Sequence, residues 1–251
     1  MKRIAFFVYG VVCYFAFLVS FIYAIGFIGN IAVPKSIDQG YQGGTVAVII
    51  VNILLLSLFA VQHSVMARQE FKRWWTKIVP KPIERSTYVL FSSVTLIVLF
   101  YFWRPMPAII WNFSSTILAS ISTVLYFLGW FVVLTGSYLI NHFNLFGLQQ
   151  VYRNLKKQEQ QNPGFVTPLY YKFVRHPLML GFIIAFWITP LMTVGHLLFA
   201  IATTGYILIA IQLEEKDLVT YHGEAYRRYQ SEVSQIIPMP PKKQNLAENI
   251  R

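Results

Sequence analysis

The stretch Arg175-His-Pro-Leu-Met-Leu-Gly-Phe-Ile-Ile-Ala-Phe-Trp-Ile-Thr-Pro-Leu-Met-Thr-Val-Gly-His196 decides the fold. From Pro177 to Leu213 run 37 residues without an Asp, Glu, Lys or Arg, too many for one membrane-spanning helix of about 20 residues. Thr189-Pro190 and Gly195-His196 interrupt the run near its middle, where Pro and Gly end helices. It therefore reads as a helical hairpin that crosses a bilayer and returns. A proline directly after Arg175-His176 suits the first turn of a helix, because its missing N–H would be unpaired there anyway and its fixed φ fits helix entry. Arg175 and His176 are expected just outside the first arm, beside the free N–H groups of that turn, where a polar or anionic group could dock. Taken alone, the triplet reads equally well as a basic flank that stops a span at the headgroups.

Composition carries the same pattern through the chain. With 56% hydrophobic and 12% charged residues, 21 Phe, 15 Tyr and 6 Trp, the chain is that of a polytopic membrane protein. Four apolar runs precede the hairpin, at residues 4–29, 44–65, 87–103 and 115–140. The fold class is all-α, a transmembrane bundle of about six spans. The first run is too long for a secretory signal and lacks a small-residue cleavage site, so it counts as a span. The lone Cys13 allows neither a disulfide framework nor a Cys-based metal centre within one chain, and no metal is expected.

The net charge of +11 could suggest nucleic acid, but the basic residues lie between apolar runs and not on a soluble surface. They report topology. Of the 21 Lys and Arg residues only Lys35 and Arg104 fall in the expected outer loops, so the positive-inside rule puts both termini in the cytoplasm. The inner loops hold Arg68, Lys72, Arg73, Lys77, Lys81 and Arg85, with Trp74 and Trp75 placed for the interface. The tail adds Arg227, Arg228, Lys242 and Lys243, and its last ten residues are expected to fray.

Polar residues converge on that inner side. His63 ends the second span, His142 ends the fourth, His176 precedes the fifth and His222 lies in the tail, whereas only His196 is expected outside. Each taken singly could be an ordinary interfacial hydrogen bonder. A haem held by two of them is disfavoured, because they sit at span ends and not at matched depth inside the bundle. Glu214 and Glu215 end the sixth span, where acidic residues oppose the helix dipole and call for a compensating partner. Arg175 is the candidate. Tyr226 and Tyr229, three apart, would share one face of a short helix.

Arg175-His-Pro177, the apolar hairpin, Glu214-Glu215 and Gly223-x-x-Tyr226-x-x-Tyr229 occur in order over about the last 80 residues. This part resembles the isoprenylcysteine carboxyl methyltransferase class of integral membrane methyltransferases. Upstream, Gln62-His-Ser-Val-Met-Ala-Arg68, Glu84-Arg85-Ser86 and Asn141-His-Phe-Asn-Leu-Phe-Gly-Leu148 resemble the methanethiol S-methyltransferase family, over nearly the whole chain. Related membrane proteins associated with denitrification share part of the upstream pattern.

The resemblance implies S-adenosylmethionine as cofactor, held by Arg175, His176, Pro177, Met179, Gly181, Glu214, Glu215, Tyr226 and Tyr229. Where the class usually has a Tyr, this chain has Met179, which keeps the apolar contact and loses the hydroxyl. The resemblance also implies a small thiol acceptor, methanethiol converted to dimethyl sulfide, contacted by Gln62, Asn141 and Asn144. Residues 1–251 then form one membrane domain, with the substrate side in residues 1–140 and the cofactor side in residues 141–251. A bacterial inner membrane is the implied location, with the active site facing the cytoplasm.

The chemistry agrees. A cationic Arg175 and an anionic Glu214 or Glu215 complement the cofactor's carboxylate and ammonium, and aromatic faces suit its sulfonium. A thiol with a pKa near that of Cys, about 8.5, must lose its proton to become a nucleophile. His63 or His142 could accept it, and Arg68 or Arg85 could stabilise the anion. Other readings are a larger thiol, a prenylcysteine carboxylate or a lipid amine as acceptor, and a non-catalytic accessory role in nitrogen-oxide metabolism.

Overall fold

A computed structural model of the protein describes residues 1–41, 44–113, 117–159 and 164–240. The expected start of the fourth span at residue 115, the basic residues Lys242 and Lys243 and the expected frayed terminus lie outside these described residues.

The long elements follow the apolar runs. Helix α1 spans Lys2–Gly29, α2 Thr45–Ala67, α4 Lys81–Phe102, α5 Ile117–Leu139 and α9 Val194–His222. All five are long and apolar enough to cross a membrane. Between and after them lie α3 (Gln69–Trp75), α6 (His142–Leu145), α7 (Leu148–Leu155), a 3-10 turn (Leu169–Lys172), α8 (Pro177–Trp187) and α10 (Glu224–Glu232). The buried centre of the bundle gathers Phe27, Leu99, Phe100, Trp103, Trp130, Phe186 and Phe199. The protein is an all-α polytopic membrane bundle.

The charge-free run does form a hairpin, but its arms are unequal. Helix α8 has 11 residues and α9 has 29, so α8 rises only about 16 Å at 1.5 Å per residue. Five helices, and not the expected six, are long enough to span among the described residues, and the residues that follow α8 are extended chain. Strand β2 (Leu191–Thr193) pairs antiparallel with β1 (Ile109–Asn112), Ile109 opposite Thr193 and Trp111 opposite Met192. The Phe113 N–H donates to Pro190 O at 2.8 Å and the Val194 N–H to Ala108 O at 2.8 Å, while the Trp111 indole N–H donates to Thr189 O at 3.1 Å. Non-helical backbone in a membrane protein is tolerated where protein supplies the missing partners. The segment after Trp103 supplies them here.

Helix α4 begins six residues before the expected span. Pro82 sits in its first turn, where proline is favoured, and Glu84 complements the dipole there. This early start puts Arg85, Tyr88, Ser92 and Thr95 on one continuous helix, at spacings that share a face.

Helices α5 and α8 meet at glycine. A Cβ on Gly181 would lie 2.7 Å from Gly129 O and 3.0 Å from Val133 N, and one on Gly129 would lie 2.8 Å from Ala185 N. These neighbours are backbone, so no rotamer change relieves the clash. Gly181→Ala is expected to destabilise by about 1–3 kcal/mol, the usual cost of overpacking. Gly205→Ala, where nothing lies within 4 Å, should be neutral or stabilising by up to about 1 kcal/mol through helix propensity. Thermal unfolding of both variants in detergent checks this, and equal midpoints would refute the close-packing account.

Candidate functional site

The basic end of the bundle is organised by one carboxylate. Glu215 Oε1 accepts from Arg175 Nε at 2.7 Å and His176 Nε2 at 2.9 Å. Its Oε2 accepts from Arg175 Nη2 at 3.3 Å and Gln230 Nε2 at 2.8 Å. Two bonds on each oxygen fill an ionised carboxylate's acceptor sites. The Arg175 guanidinium also donates through Nη1 to Gln230 O, at 3.0 Å, and to Val233 O. Both side chains are largely buried, 10% and 8% exposed.

The backbone repeats the connection. Arg175 N–H donates to Ser234 O at 2.8 Å and His176 N–H to Gln235 O at 3.2 Å, so the segment entering α8 lies alongside the chain leaving α10. Pro177 opens α8, as the sequence implied. Glu214 differs from its neighbour: its side chain is 48% exposed, with Oε2 3.6 Å from His176 Nδ1. The Tyr171 phenol is pushed up, chiefly by burial and then by the Glu214 carboxylate. Tyr226 and Tyr229 are buried on α10 with Phe165 packed against both rings. Tyr229 donates to Tyr171 O, and burial pushes its phenol up to about 12. Gly181 faces α5, and Met179 packs against the apolar core.

His63 and His142 are wired alike in different surroundings. The Ser92 hydroxyl donates to Tyr88 O at 3.0 Å, so it can only accept from His63 Nδ1 at 3.1 Å. The Tyr88 hydroxyl lies 2.8 Å from His63 Nε2 and 3.1 Å from Nδ1, and with the Nδ1 hydrogen turned to Ser92 its O–H donates to Nε2. Likewise the Ser137 hydroxyl donates to Leu134 O at 2.6 Å and accepts from His142 Nδ1 at 2.8 Å, while Tyr14 O–H meets His142 Nε2 at 2.8 Å. By donor counting both imidazoles are neutral Nδ1–H tautomers. His142 is enclosed by Tyr14, Phe17, Tyr138, Phe143 and Phe146, from α1, α5 and α6 and the turn that follows. His63 belongs to the α2 face beside α9. Its neighbour Ser64 donates to Tyr206 at 3.2 Å, and Arg68 pairs with Asp217 at 3.2 Å.

The remaining expected residues divide the same way. The Arg85 guanidinium stacks 5.0 Å over the Tyr88 ring and its Nε donates to Leu145 O at 2.7 Å. Gln62 accepts from Thr95 at 3.1 Å, linking α2 to α4. Asn141 adopts a left-handed conformation, which Asn tolerates better than most residues, and its side chain caps α6 by accepting from Asn144 N–H. Asn144 Oδ1 accepts from Gln150 at 2.9 Å. A cavity of about 330 Å³ is lined by Lys72, Glu84, Arg85, Ile140, Asn144, Leu145 and Gln150. Another of about 370 Å³ is lined by Gln212, Glu215, Lys216, Val219, Thr220 and Gln230. Tyr88, Tyr206 and Gln230 were not singled out from sequence. Only Tyr88 carried a signal, its i,i+3 spacing from Arg85 once that residue is known to be helical.

Residues 51–219 match the family model described as NnrU protein. The chain is 53% identical over 235 residues to a methanethiol S-methyltransferase of Crocosphaera subtropica, covering 94% of this chain and 92% of that one. It is 54% identical over 232 residues to methanethiol S-methyltransferase 1 of Bradyrhizobium diazoefficiens, covering 92% and 81%. With the methanethiol S-methyltransferase of Mycobacterium tuberculosis it shares 52% over 240 residues, covering 96% and 98%. No solved structure matches the chain.

Breaking a buried ion pair by deleting one partner costs about 3–5 kcal/mol. Glu215→Ala and Arg175→Ala should each lose stability on that scale and speed protease cleavage of the tail, whereas Glu214→Ala should leave unfolding without ligand nearly unchanged. Equal midpoints for the three would refute the central place of Glu215. For His142, burial lowers the imidazole below its ordinary value, so its contribution to stability is complete above the unfolded value of about 6.5 and is lost as pH falls through the lowered one. The midpoint of the native protein should fall more steeply from pH 7 to pH 5 than that of His142→Gln. Parallel curves would refute this.

Proposed function

The chain belongs to the NnrU protein family and to the methanethiol S-methyltransferase family, and on that premise we propose that it methylates methanethiol to dimethyl sulfide at the cytoplasmic side of a bacterial inner membrane. The methyl donor in this reading is S-adenosylmethionine. The carrying observation is that identity above one half over nearly the full length coincides with a site in which the α2–α4 polar face contacts α9 on either side of Glu214 and Glu215 in sequence. Ser64–Tyr206 and Arg68–Asp217 are the contacts that join them.

The residues present fit that donor. It carries an ammonium, a carboxylate and a sulfonium, and Glu214 is a half-exposed carboxylate beside His176, while its neighbour Glu215 is already saturated. Glu214 would therefore meet the ammonium, and Glu215 would hold Arg175 and His176 in place. The cavity lined by Lys216, Gln230 and Gln212 offers room and polar groups between α9 and α10. When bound, the donor supplies a methyl group activated on a positively charged sulfur.

The chain's own residues do the rest. Residues 1–140 provide the acceptor side and residues 141–251 the donor side. Apolar walls exclude water, and holding the two reactants together removes most of the entropic barrier. A thiolate meeting a sulfonium loses charge as it reacts, so the site need not stabilise a new one. His63, beside α9, accepts the thiol proton in this reading, with Arg85 and Arg68 stabilising the anion, whereas His142 ties α1 to α5. The basic residues at this end support a cytoplasmic opening.

Purified protein given methanethiol and S-adenosylmethionine should release dimethyl sulfide into the headspace, read by gas chromatography, only when both are present. Absence of that product from protein shown to be folded would overturn the reading.

A further inference from the structure

A proton acceptor must present its lone pair to the acid, and His63 does not. Its Nδ1–H is engaged by Ser92 and its Nε2 lone pair by the Tyr88 hydroxyl at 2.8 Å. Phe59 stacks on the ring at 5.2 Å and 23°. Both ring nitrogens are therefore engaged, and a thiol could reach the Nε2 lone pair only by displacing the Tyr88 hydroxyl.

Tyr88 O–H has one hydrogen, given to His63, and oxygen lone pairs that can accept another. Its ring lies under the Arg85 guanidinium at 5.0 Å, so an anion bound beside the phenol would sit close to a fixed positive charge. The charged and titratable groups facing the pair are Arg85 from α4, and Tyr206 and Glu214 from α9, with Arg68 facing Tyr206 from α2.

We propose that Tyr88 is the catalytic group that meets the thiol, and that His63 acts through it as the terminal proton acceptor. The proposal rests on the methyltransferase reading above. In the step, the thiol S–H bond breaks and its proton goes to the Tyr88 oxygen, while the Tyr88 proton moves to His63 Nε2. Tyrosine ends neutral, histidine ends as imidazolium, and the sulfur keeps the electron pair that forms the new S–CH3 bond. The imidazolium then returns its proton to solvent. Ser92 is a positioning residue that fixes the Nδ1–H tautomer and so keeps Nε2 open to Tyr88.

The test compares native protein with Tyr88→Phe, which keeps the ring over which Arg85 stacks. With methanethiol at pH 7 the variant should lose about 100-fold in kcat/KM, the usual contribution of a positioned acid or base. The loss should shrink about tenfold per pH unit as the thiol ionises in solution. Methaneselenol, an isostere already ionised at neutral pH, should be methylated within about threefold of the native rate. Without the methyl donor, the thiolate difference absorbance of bound methanethiol should appear in native protein at pH 7 and be absent in the variant. His63→Gln should show the same pattern on the same scale, because a neutral phenol can take the thiol proton only by passing its own to His63. A loss equal for both acceptors and flat with pH, or no loss at all, would overturn the relay while leaving the methyltransferase reading intact. Native protein without dimethyl sulfide production would remove both.

Discussion

The constraint on which the basic end of this bundle depends is the ionised carboxylate of Glu215 at the membrane edge. A buried charge is tolerated only when its partners fill its hydrogen-bonding capacity, and the partners of Glu215 come from two places outside its own helix. Arg175 and His176 stand at the entrance to α8, Gln230 stands on α10, and the carboxylate itself ends the apolar part of α9. Satisfying one side chain therefore fixes where α8 starts and where the tail folds back. The backbone bonds from Arg175 and His176 to Ser234 and Gln235 follow from that placement. Glu214, next in sequence and about 100° round the helix, makes none of these bonds and has its carboxylate half exposed, so adjacent glutamates sit in opposite environments.

The parts of this arrangement that sequence made legible are those encoded locally. A charge-free run too long for one span, broken by Thr189-Pro190 and Gly195-His196, gives a hairpin by composition alone. Arg175 was expected as a partner for Glu214 or Glu215 from an acidic position at a helix C-terminus, but α9 continues to His222, so burial of Glu215 and not the helix dipole is what calls for the pairing. The unequal arms were not legible, because α8 ends where β1 offers partners to residues 188–193, and those partners lie about 80 residues earlier in the chain. Gln230 was invisible for the same reason: its role exists only after α10 has turned back. The early start of α4 did have local signals in Pro82 and Glu84, outweighed in sequence by the polarity of the loop.

His63 and His142 show how far span-end position underdetermines chemistry. Both close an apolar run, and both are held in the same tautomer by a serine whose own proton goes to a backbone carbonyl. What separates them is the opposing helix. For His142 it is α1, through Tyr14, within a closed aromatic cluster. For His63 it is α4, with α9 beside it through the contact of Ser64 with Tyr206. The same local wiring thus supports a tertiary tie in one place and a candidate proton path in the other, and only the packing of α2 against α4 and α9 distinguishes them.

That packing also bears on how a neutral acceptor can work in a medium hostile to charge. An imidazolium formed against lipid would be expensive, yet here it would form one residue removed from the acceptor sulfur, enclosed by Ser92, Phe59 and Tyr88, while the anion would form beside Arg85. Separating the two new charges across a phenol places each next to a group already able to stabilise it. The anion is then consumed when its sulfur gains a methyl group from a positively charged partner, which leaves the histidine proton as the only charge to return to water.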